Sequence, residues 1–283
     1  MSATVAKAPA TPRAVDGRLV DRALRLHAGL AYAFLYLPIL IVVIYAFNES
    51  RLAQVWGGLS LRWFGEAFRD ETLRRAFQIS FTTAAINAFV AICLGTAAAL
   101  ALRNVGKRTR FAFDAFMYMA LIVPEIVIAI ASLLFFVTIN LPLGPVAIII
   151  THSVFNTSLV TLIVRARLAG MDRTQQEAAA DLGASPWNTF RHVTLPQLLP
   201  AVVAGGLLAF TFSFDDVILS SFVSGPGSTT LPVEIFSQLR FGLSPKINVV
   251  AAVTLVITLT SIVMAQILLR RETHRAVGGS HAT

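Results

Sequence analysis

Long stretches of apolar residues without charge alternate with shorter polar stretches along most of this 283-residue chain. One of these stretches is the run of 27 uncharged residues between Arg75 and Arg103. About 20 apolar residues in a helix cross the hydrocarbon core of a bilayer, so runs of this length are typical of transmembrane helices. Six spans are predicted, at 29–47, between 75 and 103, and at 115–137, 145–164, 198–222 and 247–269. The pattern indicates an all-α integral membrane protein with about six transmembrane helices.

Composition supports this class. The chain is 56% hydrophobic and 13% charged, whereas an ordinary soluble domain has about 25% charged residues. So little charge cannot cover a water-facing surface of this length. The single cysteine, Cys93, excludes an intramolecular disulfide.

The net charge of +8 is explained by topology rather than by a nucleic-acid partner, because no basic stripe is interleaved with aromatic residues outside the apolar runs. If the N-terminus is cytoplasmic, sixteen of the 23 Lys and Arg residues lie in the cytoplasmic segments, as the positive-inside rule favours. The prediction is therefore that both termini are cytoplasmic. The segments are a polar N-terminal segment (1–28), a transmembrane domain (29–270) containing the long cytoplasmic loop 165–196, and a cytoplasmic tail (271–283).

The loop 165–196 contains signals for two short helices. Thr174 and Glu177 form a potential capping box at the start of the first helix, and Gly183 is placed where a left-handed residue would end it. Ser185 followed by Pro186 predicts the start of the second helix, and Leu195-Pro196 is expected to break that helix before the fifth span. Such a knob with an alanine-lined face could enter a groove on another protein. The alternative is an interfacial hairpin that only connects two spans.

The spacing within this loop resembles the signature of ATP-binding-cassette importer permeases. The matching residues are Glu177-Ala178-Ala179, Gly183, Val193 and Leu195-Pro196. The resemblance implies a type I importer permease of the MetI-like fold. It also implies that Glu177 makes a polar contact with a cytoplasmic ATPase, that Ala178 and Ala179 provide a close fit, and that Gly183 forms the turn.

The chain has no Gly-x-x-x-x-Gly-Lys-Ser/Thr phosphate-binding loop. We therefore expect no catalytic site and no cofactor on this chain, with ATP and Mg bound by the partner ATPase.

Ionisable residues inside predicted spans are costly and often functional. Asp215 and Asp216 lie in the fifth span, and Glu125 lies in the third beside Pro124. These three are the candidates for a substrate path: one aspartate could line the path while the other pairs with another helix. The alternative for the pair is a helix-end cap or structural ion pair. A lone His152 is read as a hydrogen-bonded packing residue, and no metal site is expected.

A second resemblance covers most of the chain. Asp215-Asp216, Ser220-Ser221-Phe222, Gly225-Pro226 and Ser244-Pro245 with Asn248 are similar to the second permease of spermidine/putrescine importers. That family implies a polyamine substrate, an ATPase dimer, a homologous second permease, an external binding protein and a location in the bacterial cytoplasmic (inner) membrane, with membrane lipid around the spans. Opines, thiamine, phosphonate and ferric iron remain alternative solutes.

Two other classes of protein compete with the importer. An ion-coupled carrier would use the buried carboxylates as a relay, and it predicts inverted repeats that we do not find. A membrane-embedded enzyme would need a nucleophile–base or metal constellation, which the scattered histidines do not supply.

Overall fold

The computed structural model describes residues 17–52, 55–172, 174–241 and 245–260. These residues form helices joined by loops, together with one isolated bridge between Asn48 and Leu59. The helices are α1 (Gly17–Tyr45), α2 (Arg62–Arg69), α3 (Glu71–Ala101), α4 (Lys107–Ile122), α5 (Glu125–Thr138), α6 (Pro145–Ala169), α7 (Thr174–Asp181), α8 (Pro186–Thr189), α9 (Leu195–Asp215), α10 (Ile218–Val223), α11 (Leu231–Phe241) and α12 (Pro245–Thr260). A π-helical turn, Phe190–Thr194, joins α8 to α9. The predicted all-α class is confirmed.

Within the described ranges, four helices are long and apolar enough to cross a membrane, or five if the bent pair α4 and α5 is counted as one span. The four are Val20–Tyr45, Glu71–Ala101, Pro145–Ala169 and Pro186–Asp215. Because α1 begins at Gly17, part of the predicted polar segment 1–28 is helical. The sixth predicted span continues past Thr260, where the described residues end, and the tail 271–283 also lies outside them.

The third predicted span is not a single helix. Helices α4 and α5 meet at an angle of 104°. Val123 is extended, with ψ 129, and Pro124 follows it with ψ 134. Proline has no N–H to donate and disfavours helical geometry in the residue before it, so the helix ends at Ile122. Glu125 accordingly lies at the start of α5 rather than inside a straight span.

The fifth predicted span also has different ends. The helix runs without interruption from Pro186 to Asp215 and then breaks at Asp216, which is extended. The apolar residues after the break form the separate short helix α10. Asp216 therefore lies at a helix break, whereas the sequence predicts it within an uninterrupted fifth span.

Helices α3, α6 and α9 pack together as the central layer of the molecule. Small residues line the contacts and let the helix backbones approach closely, as is usual between membrane helices. The buried residues of this layer are Ala88, Ala91, Ala99, Val160, Val164, Leu168, Leu198, Val202 and Ala209. Polar side chains add hydrogen bonds between α3 and α6: Asn156 donates to Asn87 (2.7 Å), and Asn87 donates to Ser153 (3.0 Å).

Asp70 connects the start of α3 to α12. Its carboxylate accepts the backbone N–H of Thr72 (3.1 Å) and of Leu73 (3.3 Å), and it pairs with the Lys246 Nζ at 3.0 Å. Burial alone would raise the pKa of Asp70, but the hydrogen bonds from Lys246 and the backbone outweigh it and hold the pKa below its usual value. The carboxylate thus caps one helix and anchors another.

The close approach of α3 and α6 at Gly95 gives a first prediction. A Cβ added at Gly95 would lie 2.8 Å from the Cβ and Cγ1 of Val160 and 3.1 Å from the Thr157 carbonyl oxygen. Val160 is fully buried and cannot move aside. We expect Gly95→Ala to destabilise the detergent-purified protein by about 1–3 kcal/mol, the usual cost of overpacking, measured as a fall in Tm.

The matched control is Gly65→Ala in α2, where an added Cβ meets nothing within 4 Å. That variant should melt at or slightly above the wild-type temperature, because alanine favours a helix over glycine. If Gly95→Ala had the same Tm as the Gly65→Ala control, this result would contradict the close packing of α3 on α6.

Candidate functional site

The loop between α6 and α9 forms a helical knob. Helix α7 ends in a Schellman motif, in which the Gly183 N–H donates to Ala180 (2.9 Å) and the Ala184 N–H donates to Ala179 (3.0 Å). Gly183 has the left-handed φ of +82° that this motif requires and that the sequence predicts. The Ser185 hydroxyl then accepts the Asn188 N–H at 3.3 Å and caps α8.

The start of the knob differs from the expected capping box. The Thr174 N–H donates to the Asp172 Oδ1 at 2.9 Å, so this N–H is hydrogen-bonded to Asp172 rather than to Glu177. The same hydrogen bond from the Thr174 backbone lowers the pKa of Asp172. Glu177 is left exposed, with its carboxylate available to another molecule.

Leu195-Pro196 does not break the second helix of the loop. The π-helical turn lets the Leu195 N–H donate to the Phe190 carbonyl, and the helix continues into α9. Pro196 falls in the first turn of α9, where a missing N–H is tolerated. Helix α8 of the knob, the π-helical turn and α9 are therefore parts of one continuous helix from Pro186 to Asp215.

The tip of the knob presents apolar side chains. Helix α7 has no buried residue, and Leu182 is 89% exposed while Trp187 is 65% exposed. Glu177 and Ala178 are exposed, and Ala179 is half-buried. The predicted contact residues thus lie on one accessible protrusion.

Two glutamines that the sequence analysis did not single out connect this protrusion to the central helices. Arg103, just after α3, donates to the Gln176 Oε1 at 3.1 Å, and Gln197 of α9 donates to the Gln175 Oε1 at 2.7 Å. Arg167 of α6 donates to the Gln197 carbonyl at 3.0 Å. The knob is therefore hydrogen-bonded to the ends of the helices that form the central layer.

Asp215 and Asp216 point to different surroundings. Asp215 is the last residue of α9, is exposed, and lines a cavity of about 500 Å³. Asp215 is the only charged residue among the described residues that line this cavity. Four phenylalanines contribute to the same lining: Phe81, Phe210, Phe214 and Phe236.

The Asp216 side chain is only 8% exposed. Its carboxylate accepts the N–H of Leu219 (3.2 Å) and of Ser220 (2.6 Å) at the start of α10. It also lies 3.2 Å from the His152 Nε2 of α6. Asp216 therefore replaces the backbone hydrogen bonds that are lost at the helix break and pairs with another helix.

His152 is the centre of a buried polar cluster. It is 1% exposed, and its Nδ1 lies 2.7 Å from the Ser213 Oγ, while its Nε2 lies 3.4 Å from the Ser220 Oγ. It was expected to be a hydrogen-bonded packing residue, and it is one. No local pattern predicts that its partners lie on the two sides of the break after Asp215.

Glu125 is separate from Asp215. It lines a small cavity of about 20 Å³ with His152, Asn156 and Asp216. The Asn156 Oδ1 is buried there without a hydrogen-bond partner in the described part of the chain. A space of this size holds about one water molecule. The structure thus brings Glu125 close to Asp216 and leaves Asp215 in the larger aromatic cavity.

Asp114 of α4 forms an ion pair with Arg165 of α6. Among the described residues no group of three or more His, Cys, Asp or Glu side chains could hold a metal ion.

Comparisons with known proteins agree with this architecture. Residues 91–274 match the family described as "Binding-protein-dependent transport system inner membrane component". The chain is 43% identical over 233 residues to the putrescine transport system permease protein PotI of Escherichia coli K12, covering 80% of this chain and 83% of that protein. It is 36% identical over 247 residues to the spermidine/putrescine transport system permease protein PotC of the same strain, covering 87% and 94%. A more distant relative, 30% identical over 82% of this chain and 86% of its own length, is the putative 2-aminoethylphosphonate transport system permease protein PhnV of Salmonella paratyphi A.

Solved structures show the same fold at low sequence identity. A bacterial ABC transporter involved in the import of alginate matches with a TM-score of 0.71 and 17% identity, over 89% of this chain and 96% of that chain. The MetNI methionine ABC transporter matches with a TM-score of 0.58 and 18% identity, over 72% and 95%. The helices described above thus have the MetI-like permease fold.

Family match, relatives and fold agree. The chain belongs to the inner-membrane components of binding-protein-dependent transport systems, and it is a multi-pass permease subunit of the cytoplasmic membrane rather than an enzyme.

Proposed function

We propose that this chain forms half of the translocation path of an ATP-driven importer for a polyamine such as putrescine or spermidine. The observation that supports this substrate is the Asp215 carboxylate in an aromatic-lined cavity of about 500 Å³. Ammonium groups are attracted by carboxylates and by the faces of aromatic rings. A polyamine carries ammonium groups on an apolar chain, so its chemistry matches this lining. Two relatives of this chain are named as permeases for putrescine and for spermidine/putrescine, which supports the same class of substrate.

The charge of the cavity favours this class over the other solutes. A phosphonate is anionic and would need a basic group, yet Asp215 is the only charged residue among the described residues of the lining. Thiamine and ferric iron are cations and remain alternatives. An opine carries carboxylates as well as an amino group, so a lining whose only described charge is a carboxylate does not favour it. An ion-coupled carrier would transport its solute without ATP, and it would not need an exposed knob that docks on an ATPase.

The knob supports coupling to a separate ATPase dimer. Its apolar tip, with Leu182 and Trp187, is a surface that a protein cleft would cover, and Glu177 can make a polar contact at the edge of that cleft. In this proposal Ala178 and Ala179 allow close approach, Gly183 forms the turn, and Leu195-Pro196 leads the helix into the membrane. ATP and Mg bind to the ATPase, and this chain holds no cofactor.

The remaining partners follow from the same class. A homologous second permease completes the path, an external binding protein delivers the solute, and lipid surrounds the outer helices. The knob and both termini face the cytoplasm, consistent with sixteen of the 23 Lys and Arg residues on that side. No nucleic acid is involved.

The function is tested with the complex of this chain and the partner subunits encoded in neighbouring genes, reconstituted into vesicles. The binding protein is added loaded with putrescine, with spermidine or with an unrelated solute, and ATP hydrolysis is measured. We expect stimulation only by a polyamine-loaded binding protein. Stimulation only by a binding protein loaded with another solute would contradict the polyamine substrate. An intact assembly whose ATP hydrolysis does not respond to any loaded binding protein would contradict the ATP-driven importer.

The coupling role is tested at Gly183. Gly183→Arg adds a long charged side chain to the tip and forces a β-carbon into a left-handed turn, so docking should fail. We expect ATP-dependent polyamine uptake to fall by about tenfold or more, equivalent to about 1.4 kcal/mol or more, with a wild-type amount of protein in the membrane.

Gly183→Asn is the matched control, because asparagine tolerates the left-handed region and adds only a short side chain. This variant should keep most of its uptake. Uptake at the wild-type rate by Gly183→Arg would show that the knob does not dock where we propose.

The substrate path is tested at Asp215. Asp215→Asn keeps the shape of the side chain but removes its charge, and a hydrogen bond to a charged group contributes about 1.5–3 kcal/mol. We expect about a tenfold or greater fall in polyamine imported per ATP hydrolysed. The stimulation of ATP hydrolysis by the loaded binding protein should persist, because the substitution keeps the shape of the side chain and leaves the knob unchanged.

Glu66→Gln serves as the control for loss of a carboxylate elsewhere, since Glu66 pairs with Arg62 on α2 and does not line the cavity. It should import polyamine at the wild-type ratio. An equal, wild-type ratio for Asp215→Asn would remove Asp215 from the path.

A further inference from the structure

The break between α9 and α10 is held by one side chain from a third helix. The His152 imidazole of α6 contacts Ser213 in the last turn of α9, Asp216 at the break and Ser220 in α10. All four side chains are buried: the exposed fractions are 1% for His152, 3% for Ser213 and 0% for Ser220, and 8% for the Asp216 side chain. The contacts therefore persist without competition from solvent.

The hydrogen-bonding capacity of the cluster is balanced. A neutral imidazole protonated on Nε2 donates to the Asp216 carboxylate and accepts the Ser213 hydroxyl proton on Nδ1. Asp216 in turn accepts the first free N–H groups of α10. Since buried polar groups are costly when unpaired, moving any one of these groups leaves another without a partner.

This arrangement sets the position of Asp215, although Asp215 is not one of the residues that contact His152. It lies between Ser213 and Asp216 in the chain, and both of these are hydrogen-bonded to the same imidazole. The direction in which the Asp215 carboxylate leaves the end of α9 therefore depends on where His152 holds the two residues around it. Its placement in the aromatic cavity follows from that direction.

We propose that His152 is a positioning residue for transport, which fixes the break after α9 and thereby aims the Asp215 carboxylate at the ammonium groups of the substrate. This inference rests on the proposed function and adds to it a residue that contacts neither the cavity of Asp215 nor the knob. In this proposal Asp216 stabilises the helix break, and Asp215 contacts the solute.

The test uses the complete reconstituted importer and measures two rates together, polyamine uptake and ATP hydrolysis. His152→Leu removes both hydrogen bonds while filling the space with an apolar side chain. A defect of folding alone would lower both rates in proportion, because fewer assemblies would be active. We expect instead about a fivefold fall in polyamine imported per ATP hydrolysed, within the range of couplings between residues of one network.

His152→Gln is the conservative variant, because its amide can still donate to Asp216. It should recover the ratio to within about twofold of wild type, a difference of about 0.4 kcal/mol. Thr151→Val is the control for a neighbouring buried polar group. Thr151 is 1% exposed, and among the described residues its hydroxyl bonds only to the Ala147 carbonyl of its own helix, at 2.9 Å, so its loss should leave the ratio unchanged.

The double variant His152→Leu/Asp215→Asn separates positioning from general damage. If His152 acts through Asp215, the double variant should import no less per ATP than Asp215→Asn alone. A wild-type ratio for His152→Leu, or losses that multiply in the double variant, would overturn the positioning role. A wild-type assembly that imports no polyamine would overturn the proposed function, and with it this inference.

Discussion

A helix that ends where its backbone is buried leaves N–H and C=O groups without helical partners, and other parts of the protein must satisfy them. This constraint decides the arrangement around the end of α9. The chain turns at Asp216, and the Asp216 carboxylate takes up the N–H groups of Leu219 and Ser220. The buried carboxylate needs a donor of its own, and His152 provides it from α6. In this chain the break is thus capped by a carboxylate, and that carboxylate is paired with a histidine.

The same constraint explains why two neighbouring aspartates have different tasks. Three donors converge on Asp216, so it has little capacity left for a solute. Asp215 has no such set of partners among the described residues, and it faces a cavity where it is the only charged residue of the described lining. A cation in the cavity would therefore be attracted to Asp215. The aromatic rings around it would then offer their faces to the remaining ammonium groups.

Some of this could be predicted from the sequence, because it depends on local rules. The long uncharged runs predict the spans, and Gly183 predicts the left-handed turn since few other residues adopt φ +82° easily. Other features depend on partners far apart in the chain. The 104° bend beside Pro124 could have been a mild kink, and Pro196 is accommodated by a π-helical turn instead of ending the helix. The role of His152 follows from contacts with residues more than sixty positions away, which no local pattern reveals.

The continuous helix from Pro186 to Asp215 gives the two sites a physical connection. Its 30 residues rise about 1.5 Å each, which places the knob and the Asp215 carboxylate about 45 Å apart on one helix. Gln175, on α7 of the knob, is hydrogen-bonded to Gln197 near the start of α9, so a displacement of the knob moves the base of that helix. At the far end His152 of α6 holds the residues around Asp215. In the proposed importer, closure of the ATPase would therefore displace α9 against α6. Because the His152 imidazole joins α6 to the residues on both sides of Asp215, this displacement would change the position of the Asp215 carboxylate.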